Sequence, residues 1–211
     1  MPDTQTVHRY IGIGEVDKLR DAAHDRDLRY NSLGRRLRDE VLVVLGIDLG
    51  LRAVELHRLK RSMFRLNEGE VMLPGAIQKD YPVEDASPKP ATLRLDPYDH
   101  FGTVRLLRSY FASEWYQERD SDYVFPSRQS DQMTTESIRN TIEDLAVEAD
   151  VIVHRTDGEP ANPEELHPHA LRHSVANYML AADANLVEVR NRLRHRSINT
   201  TERVYDHFQR R

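Results

Sequence analysis

Residues 166–180 read Leu-His-Pro-His-Ala-Leu-Arg-His-Ser-Val-Ala-Asn-Tyr-Met-Leu. The periodicity predicts a helix over 169–180, and on it His169 and Arg172, three residues apart, share one face. An arginine and a histidine so placed can serve a single anion, the guanidinium supplying charge and the imidazole hydrogen bonding and proton transfer. The rival reading is a metal site, because His154, His167, His169, His173 and His195 make this half of the chain rich in histidine. A zinc-binding helix wants a carboxylate between its two histidines. Here Leu171 and Arg172 stand there, and a guanidinium beside a metal cation is unfavourable. Neither a metal nor another cofactor is expected.

Working outward from this stretch, the sequence predicts a mainly α fold with one small antiparallel β-sheet early in the chain. Residues 1–12 read as a polar lead and 13–211 as a single domain. Helical spacing runs from Glu15 to Arg26 and, more strongly, from Asn31 to Leu49, with Asn31-Ser32 as N-cap and Gly50 as stop. Arg52 to Lys60 reads as a short helix. At Ser62 the character changes to a hairpin with an Asn-Glu-Gly turn, and Ala91–Leu95 makes a third strand beyond a loop rich in Pro, Asp and Ser. Helices are expected again over 97–116, over 134–149 behind a Thr134-Thr135 cap, over Leu186–Leu193 and over about Thr200–Phe208.

Two further segments belong with the first. Gly50-Leu51-Arg52-Ala53-Val54-Glu55-Leu56 places an arginine at the opening of a helix, where a guanidinium and backbone amides can face one phosphate and a glutamate one turn on can orient the arginine. Leu193-Arg194-His195-Arg196-Ser197-Ile198-Asn199-Thr200-Thr201-Glu202-Arg203-Val204-Tyr205 joins a histidine to a tyrosine near the end of the chain. In this order, with Phe125-Pro126-Ser127 ahead of the histidine-rich helix, the three segments resemble the boxes of the tyrosine recombinases of the phage-integrase family. The resemblance runs from about Arg9 to Phe208. In two places the chain departs from the family pattern: Arg194 stands where a glycine is usual, and Tyr205 follows His195 by ten residues where nine is common.

The resemblance implies the catalytic-domain fold of those enzymes and an attack by Tyr205 on a DNA phosphodiester, giving a 3′-phosphotyrosine and a free 5′-hydroxyl without metal or ATP. It implies that Arg52, Arg172 and His195 stabilise the transition state, that His169 handles the tyrosine proton, and that a lysine near the early hairpin protonates the leaving oxygen. Of the four lysines, Lys18 and Lys60 fall on helices or at their ends, which leaves Lys79 and Lys89; Lys79, at the end of a strand, is preferred. The implied partner is double-stranded DNA, engaged as a homo-oligomer. Family members usually add an N-terminal helical domain that closes a clamp on the duplex, and the pattern here starts too early to include it. That absence, the shifted tyrosine and the acidic charge fit an alternative, a non-catalytic DNA-binding or accessory protein that keeps the fold.

Charge distribution says more than net charge. The chain carries −5 overall. From His167 onward, eight arginines face four acidic residues, so this segment is +4 and the rest −9. The basic footprint expected for phosphate binding therefore coincides with the histidine-rich helix and the segment that follows it. With no cysteine there is neither disulfide nor thiolate metal site. The polar start lacks the form of a signal peptide, and the longest apolar run, Val41–Ile47, falls far short of the roughly 20 residues of a membrane span. A cytoplasmic, non-membrane protein is expected. Four lysines against 26 arginines, with an acidic majority, is a bias familiar in haloarchaea and their viruses, although high-GC codon usage produces it equally.

Overall fold

The computed structural model describes residues 7–25, 33–78 and 88–195. The order is β1 (Arg9–Ile11), α1 (Gly14–Asp25), α2 (Leu33–Leu49), α3 (Ala53–Arg58), β2 (Phe64–Arg65), β3 (Glu70–Leu73), β4 (Ala91–Arg94), α4 (Thr103–Ala112), α5 (Glu114–Gln117), α6 (Thr135–Glu148), β5 (Val153–Arg155), α7 (Pro168–Ala181) and α8 (Leu186–Leu193). The fold is mainly α with small antiparallel sheets, in line with the sequence. Among the described residues no helix is long and apolar enough to cross a membrane.

The middle of the molecule is α2. Val41, Leu42, Val43, Val44, Leu45 and Ile47 follow one another with almost no amphipathic alternation, and all are buried. A helix that is apolar all round must be surrounded, and α1, α4 and α7 pack about it. Gly46 sets how closely α7 approaches: a Cβ there would lie 2.9 Å from Leu171 Cδ1. The helix carrying His169 and Arg172 is thus seated directly on the central one.

The early hairpin forms as expected. β2, β3 and β4 make an antiparallel sheet with Phe64 opposite Val71 and Val71 opposite Leu93, and its inward residues Val71, Leu73 and Leu93 join the core. Two expectations need correction. There is a second sheet, because β1 pairs antiparallel with β5 (Arg9 with Arg155, Ile11 with Val153). Residues 7–12 are therefore not a lead outside the domain: Ile11 is buried, and its N–H donates to Ser174 Oγ on α7 at 2.8 Å. Three-residue strands carry too little periodicity to be read, and this pair joins segments more than 140 residues apart.

The helix expected over 97–116 is likewise shorter and split. The Asp96 carboxylate accepts from the backbone N–H groups of His100, Phe101 and Gly102, which holds residues 97–102 in a turn that competes with helix. Ser113, extended at φ −66° and ψ 140°, ends α4 and caps α5. The Thr134 cap of α6 and the bounds of α8 agree with the sequence reading. The Asn31-Ser32 cap and the helix expected over Thr200–Phe208 lie outside the described residues.

Candidate active site

The site is built on the corner where α2 ends. Gly50 takes φ +58°, and a Cβ on it would lie 2.5 Å from Leu193 Cδ2 and 3.4 Å from Val175 Cγ2. Glycine is required twice over, for the left-handed backbone and for the space, and the close approach brings α7 and α8 to the same corner. Two residues on, Arg52 is extended and caps α3. Its N–H donates to Glu55 Oε2 at 2.8 Å and its Nη1 to Glu55 Oε1 at 3.2 Å. Glu55 does orient Arg52, as its spacing suggests, but the Arg52 amide is engaged by that carboxylate rather than turned outward.

On α7, His167 is the N-cap: its Nδ1 accepts from the Ala170 N–H at 3.2 Å, with Pro168 following as the first helical residue. An accepting ring nitrogen requires the unprotonated form, and burial, followed by the charge of Arg139, keeps the His167 pKa below its ordinary value. His169 is exposed, its ring 4.5 Å from that of His173, which in turn lies 4.2 Å from His8 beside β1. Arg172 is buried. Its Nη1 donates to the Gly50 carbonyl and its Nη2 to the Leu193 carbonyl, so one guanidinium braces the end of α2 against the end of α8.

Helix α8 begins with Asn185, whose side chain accepts from the N–H groups of Val187 and Glu188. It is held from below by Arg192, which pairs with the buried Asp48 and donates to the Asp48 and Arg94 carbonyls. Asp48 also accepts from Thr103 Oγ1 at 2.9 Å and the Asp96 N–H at 2.9 Å. Arg194 closes the helix at φ 56°, ψ 40°. A left-handed arginine costs on the order of 1–2 kcal/mol. Its side chain nonetheless turns inward, 5% exposed, and pairs with Glu55 Oε2 at 2.8 Å. His195 follows, its N–H on the Arg190 carbonyl at 3.0 Å.

The electrostatics bind these elements into one unit. Burial pushes the Glu55 carboxyl up, but the Arg194 and Arg172 guanidiniums and the Arg52 N–H outweigh it and hold it below the usual carboxylate value. His195 is pushed down to about 3 by burial and then by Arg172, Arg52 and Arg194. His169, although solvent reaches part of it, is also lowered, by partial desolvation of its ring and then by Arg172. Three guanidiniums therefore act on a single carboxylate, with the His169 and His195 rings beside those guanidiniums, an arrangement with surplus positive charge that suits an anion. A cavity of about 610 Å³ opens beside it, lined by Arg52, His167 and His169 together with Thr135, Glu136 and Arg139 of α6.

The structure thus brings together Arg52, His169, Arg172 and His195, although the first and last are separated by most of the chain. Arg52 and His169 line the cavity, whereas Arg172 and His195 do not. Lys79 and Tyr205 lie outside the described residues. Lys89 is exposed, and its carbonyl, with that of Leu73, is held by Gln78 Nε2. Among the described residues no three His, Asp or Glu side chains are grouped so as to hold a metal ion. The sequence reading missed the α6 wall, whose signal is only the polar face of an amphipathic helix. It also took Arg194 as a departure without a role.

Comparison with known proteins bears on the family and the fold. The model of the phage integrase family matches residues 14–211. The chain is 29% identical over 203 residues to tyrosine recombinase XerD of Vibrio vulnificus, covering 96% of this chain and 57% of that one. It is 31% identical over 174 residues to XerD of Vibrio cholerae, covering 81% and 49%. It spans about half the length of such relatives. The XerA recombinase crystal structure superposes with a TM-score of 0.68 at 23% identity, covering 97% of this chain and 60% of that one. A lambda integrase dimer bound to a COC′ core site gives 0.67 at 13%, covering 99% and 51%. With the matched region taking in all three sequence boxes and the corner they build, the chain belongs to the phage integrase family.

Proposed function

We propose that this chain carries the chemistry of a site-specific DNA recombinase, acting in the cytoplasm on double-stranded DNA as a homo-oligomer. Tyr205 Oη attacks the phosphorus of one phosphodiester, a P–O bond forms as the bond to the 5′ oxygen breaks, and that oxygen leaves as a hydroxyl after taking a proton from Lys79. His169 receives the tyrosine proton. Arg52, Arg172 and His195 stabilise the charge spread over the phosphoryl oxygens, the principal contribution to such transfers. Rejoining reverses the steps with another 5′-hydroxyl, and because the phosphotyrosine keeps the bond energy no ATP is consumed.

The observation that carries this reading is the convergence of Arg52, Arg172, His169 and His195 on one corner, where the guanidiniums outnumber the single Glu55 carboxylate, beside a cavity open to solvent. The depression of His195 supports it: burial lowers the ring first and Arg172, Arg52 and Arg194 lower it further, and an arriving phosphate would offset that cationic part.

A nicked suicide substrate provides the test: loss of the short 5′-hydroxyl fragment prevents religation, so wild-type protein accumulates a covalent DNA adduct. Tyr205→Phe abolishes the adduct while DNA binding is nearly kept, and Arg172→Ala suppresses it. A chelator leaves adduct formation unchanged. An adduct surviving in the Phe variant refutes Tyr205 as nucleophile. Its absence on every cognate site, in a protein that still binds DNA, favours the accessory reading.

A further inference from the structure

We propose that Arg194, standing where the family pattern has glycine, is a positioning residue that links the helix carrying His195 to Arg52 through Glu55. The inference rests on the recombinase reading above and adds a residue to that site.

Three observations lead to it. The backbone at Arg194 keeps the left-handed turn at φ 56° that a glycine would take without strain. The side chain then does not run out to water, as an arginine at a helix end readily does. It folds inward, 5% exposed, and donates to Glu55 Oε2 at 2.8 Å, the Leu49 carbonyl at 3.2 Å and the Arg192 carbonyl at 3.0 Å. A residue that tolerates an unfavourable backbone and near-complete burial of its side chain is held there by what that side chain contacts.

What it contacts is the carboxylate that orients Arg52. Glu55 Oε2 receives both Arg194 Nη2 and the Arg52 N–H, and Oε1 receives Arg52 Nη1. Arg194, Glu55 and Arg52 form one chain of charge-assisted bonds from the end of α8 to the start of α3. The residue after Arg194 is His195, so the spacing between His195 and Arg52 is set through this chain. A glycine would leave α8 joined to the corner by Arg172 and Arg192 but without a link to Glu55. Arg194 also raises the local charge: Glu55 alone balances one arginine, and with Arg194 present the corner keeps an additional cation.

The test uses the full chain with Arg194→Gly, Arg194→Lys and Glu55→Gln. Arg194→Gly relaxes the backbone and is expected to fold. Its single-turnover adduct formation on the suicide substrate falls about 10- to 100-fold, the size expected of a small misplacement at a reacting centre. DNA affinity changes by less than about threefold, and Arg194→Lys, which keeps the charge, recovers most of the rate. Combined with Glu55→Gln, the effect of Arg194→Gly is much smaller than in the wild-type background. His195 titration by NMR gives a readout apart from activity. His195 is faced by Arg172, His169 and His173 from α7, Arg52 from the start of α3, and Arg194, so removing Arg194 moves its titration upward.

Wild-type rate in Arg194→Gly, or equal losses in the Gly and Lys variants that track a drop in Tm, overturns the positioning role in favour of a structural one. If the wild-type chain itself forms no adduct, the recombinase reading fails. The His195 titration then decides the linkage separately, and an unchanged titration in Arg194→Gly overturns it.

Discussion

Glu55 is the residue on which the site depends. It is fully buried and receives two guanidiniums, so truncating it leaves buried charge uncompensated. Glu55→Ala should cost about 3–5 kcal/mol in a urea titration, whereas Glu55→Gln, which still accepts from the Arg52 N–H, should cost less. A loss below about 1 kcal/mol for the alanine variant would be that of an exposed pair and would contradict the burial. The histidines set a pH dependence. His195 is depressed to about 3 in the fold and titrates near 6.5 when unfolded. Between those values the unfolded chain binds the extra proton, so stability is fully present above about pH 6.5 and is lost as pH falls toward about 3. His169 and His167 are lowered too and act in the same sense. Urea midpoints at about pH 7.5 and 5 should fall accordingly, and His195→Gln should reduce the difference; a midpoint insensitive to pH in this range contradicts the depression.

At the scale of elements, the site depends on how closely α7 rides on α2. Gly46 admits the Leu171 side chain at the crossing. Gly46→Val should overpack it, destabilise by about 1–3 kcal/mol and displace His169 and Arg172 together, lowering adduct formation beyond what the stability loss accounts for. Gly46→Ala should lie near neutrality, because the gain of about 1 kcal/mol in helix propensity offsets a shift of one Leu171 methyl group. Chemical denaturation with single-turnover cleavage checks both; a Val variant of unchanged stability would show that the crossing is looser than the geometry states. The contrast between α8 and the paired strands β1 and β5 shows what can be read locally. α8 has an Asn185 cap, a Glu188 three residues on and apolar Val189 and Leu193 facing inward, so its bounds follow from its own residues. β1 and β5 have no such local signal, and their pairing depends on Ile11 finding both Val153 and Ser174.

For the whole molecule, net charge and the proposed function pull in opposite directions. A chain of −5 repels a duplex at long range, while its segment from His167 onward carries +4. Binding should therefore be local and dominated by phosphate contacts, with affinity falling roughly a thousandfold between about 50 and 200 mM salt if about six phosphates are neutralised. Fluorescence anisotropy on duplexes at several salt concentrations measures the slope. A shallow slope with strong sequence selectivity would mean that base contacts, not phosphates, hold this chain on DNA.

The sequence by itself determined most of the described helices and the hairpin, and it marked Arg52, Glu55, His169 and Arg172 as candidates, because helix caps, periodicity and the spacing of His169, Arg172 and Glu55 are local properties that the chain carries wherever it folds. It also pointed to Gly50 as the stop of α2. Only the tertiary structure decided that Gly50 must be bare to admit Leu193, that Arg172 spans two carbonyls from different helices, and that Arg194 reaches Glu55. Those contacts join residues more than a hundred positions apart or at separate helix ends, and their partners are backbone carbonyls and a buried carboxylate. No pattern along the chain encodes such meetings, since they depend on how closely α2, α7 and α8 pack.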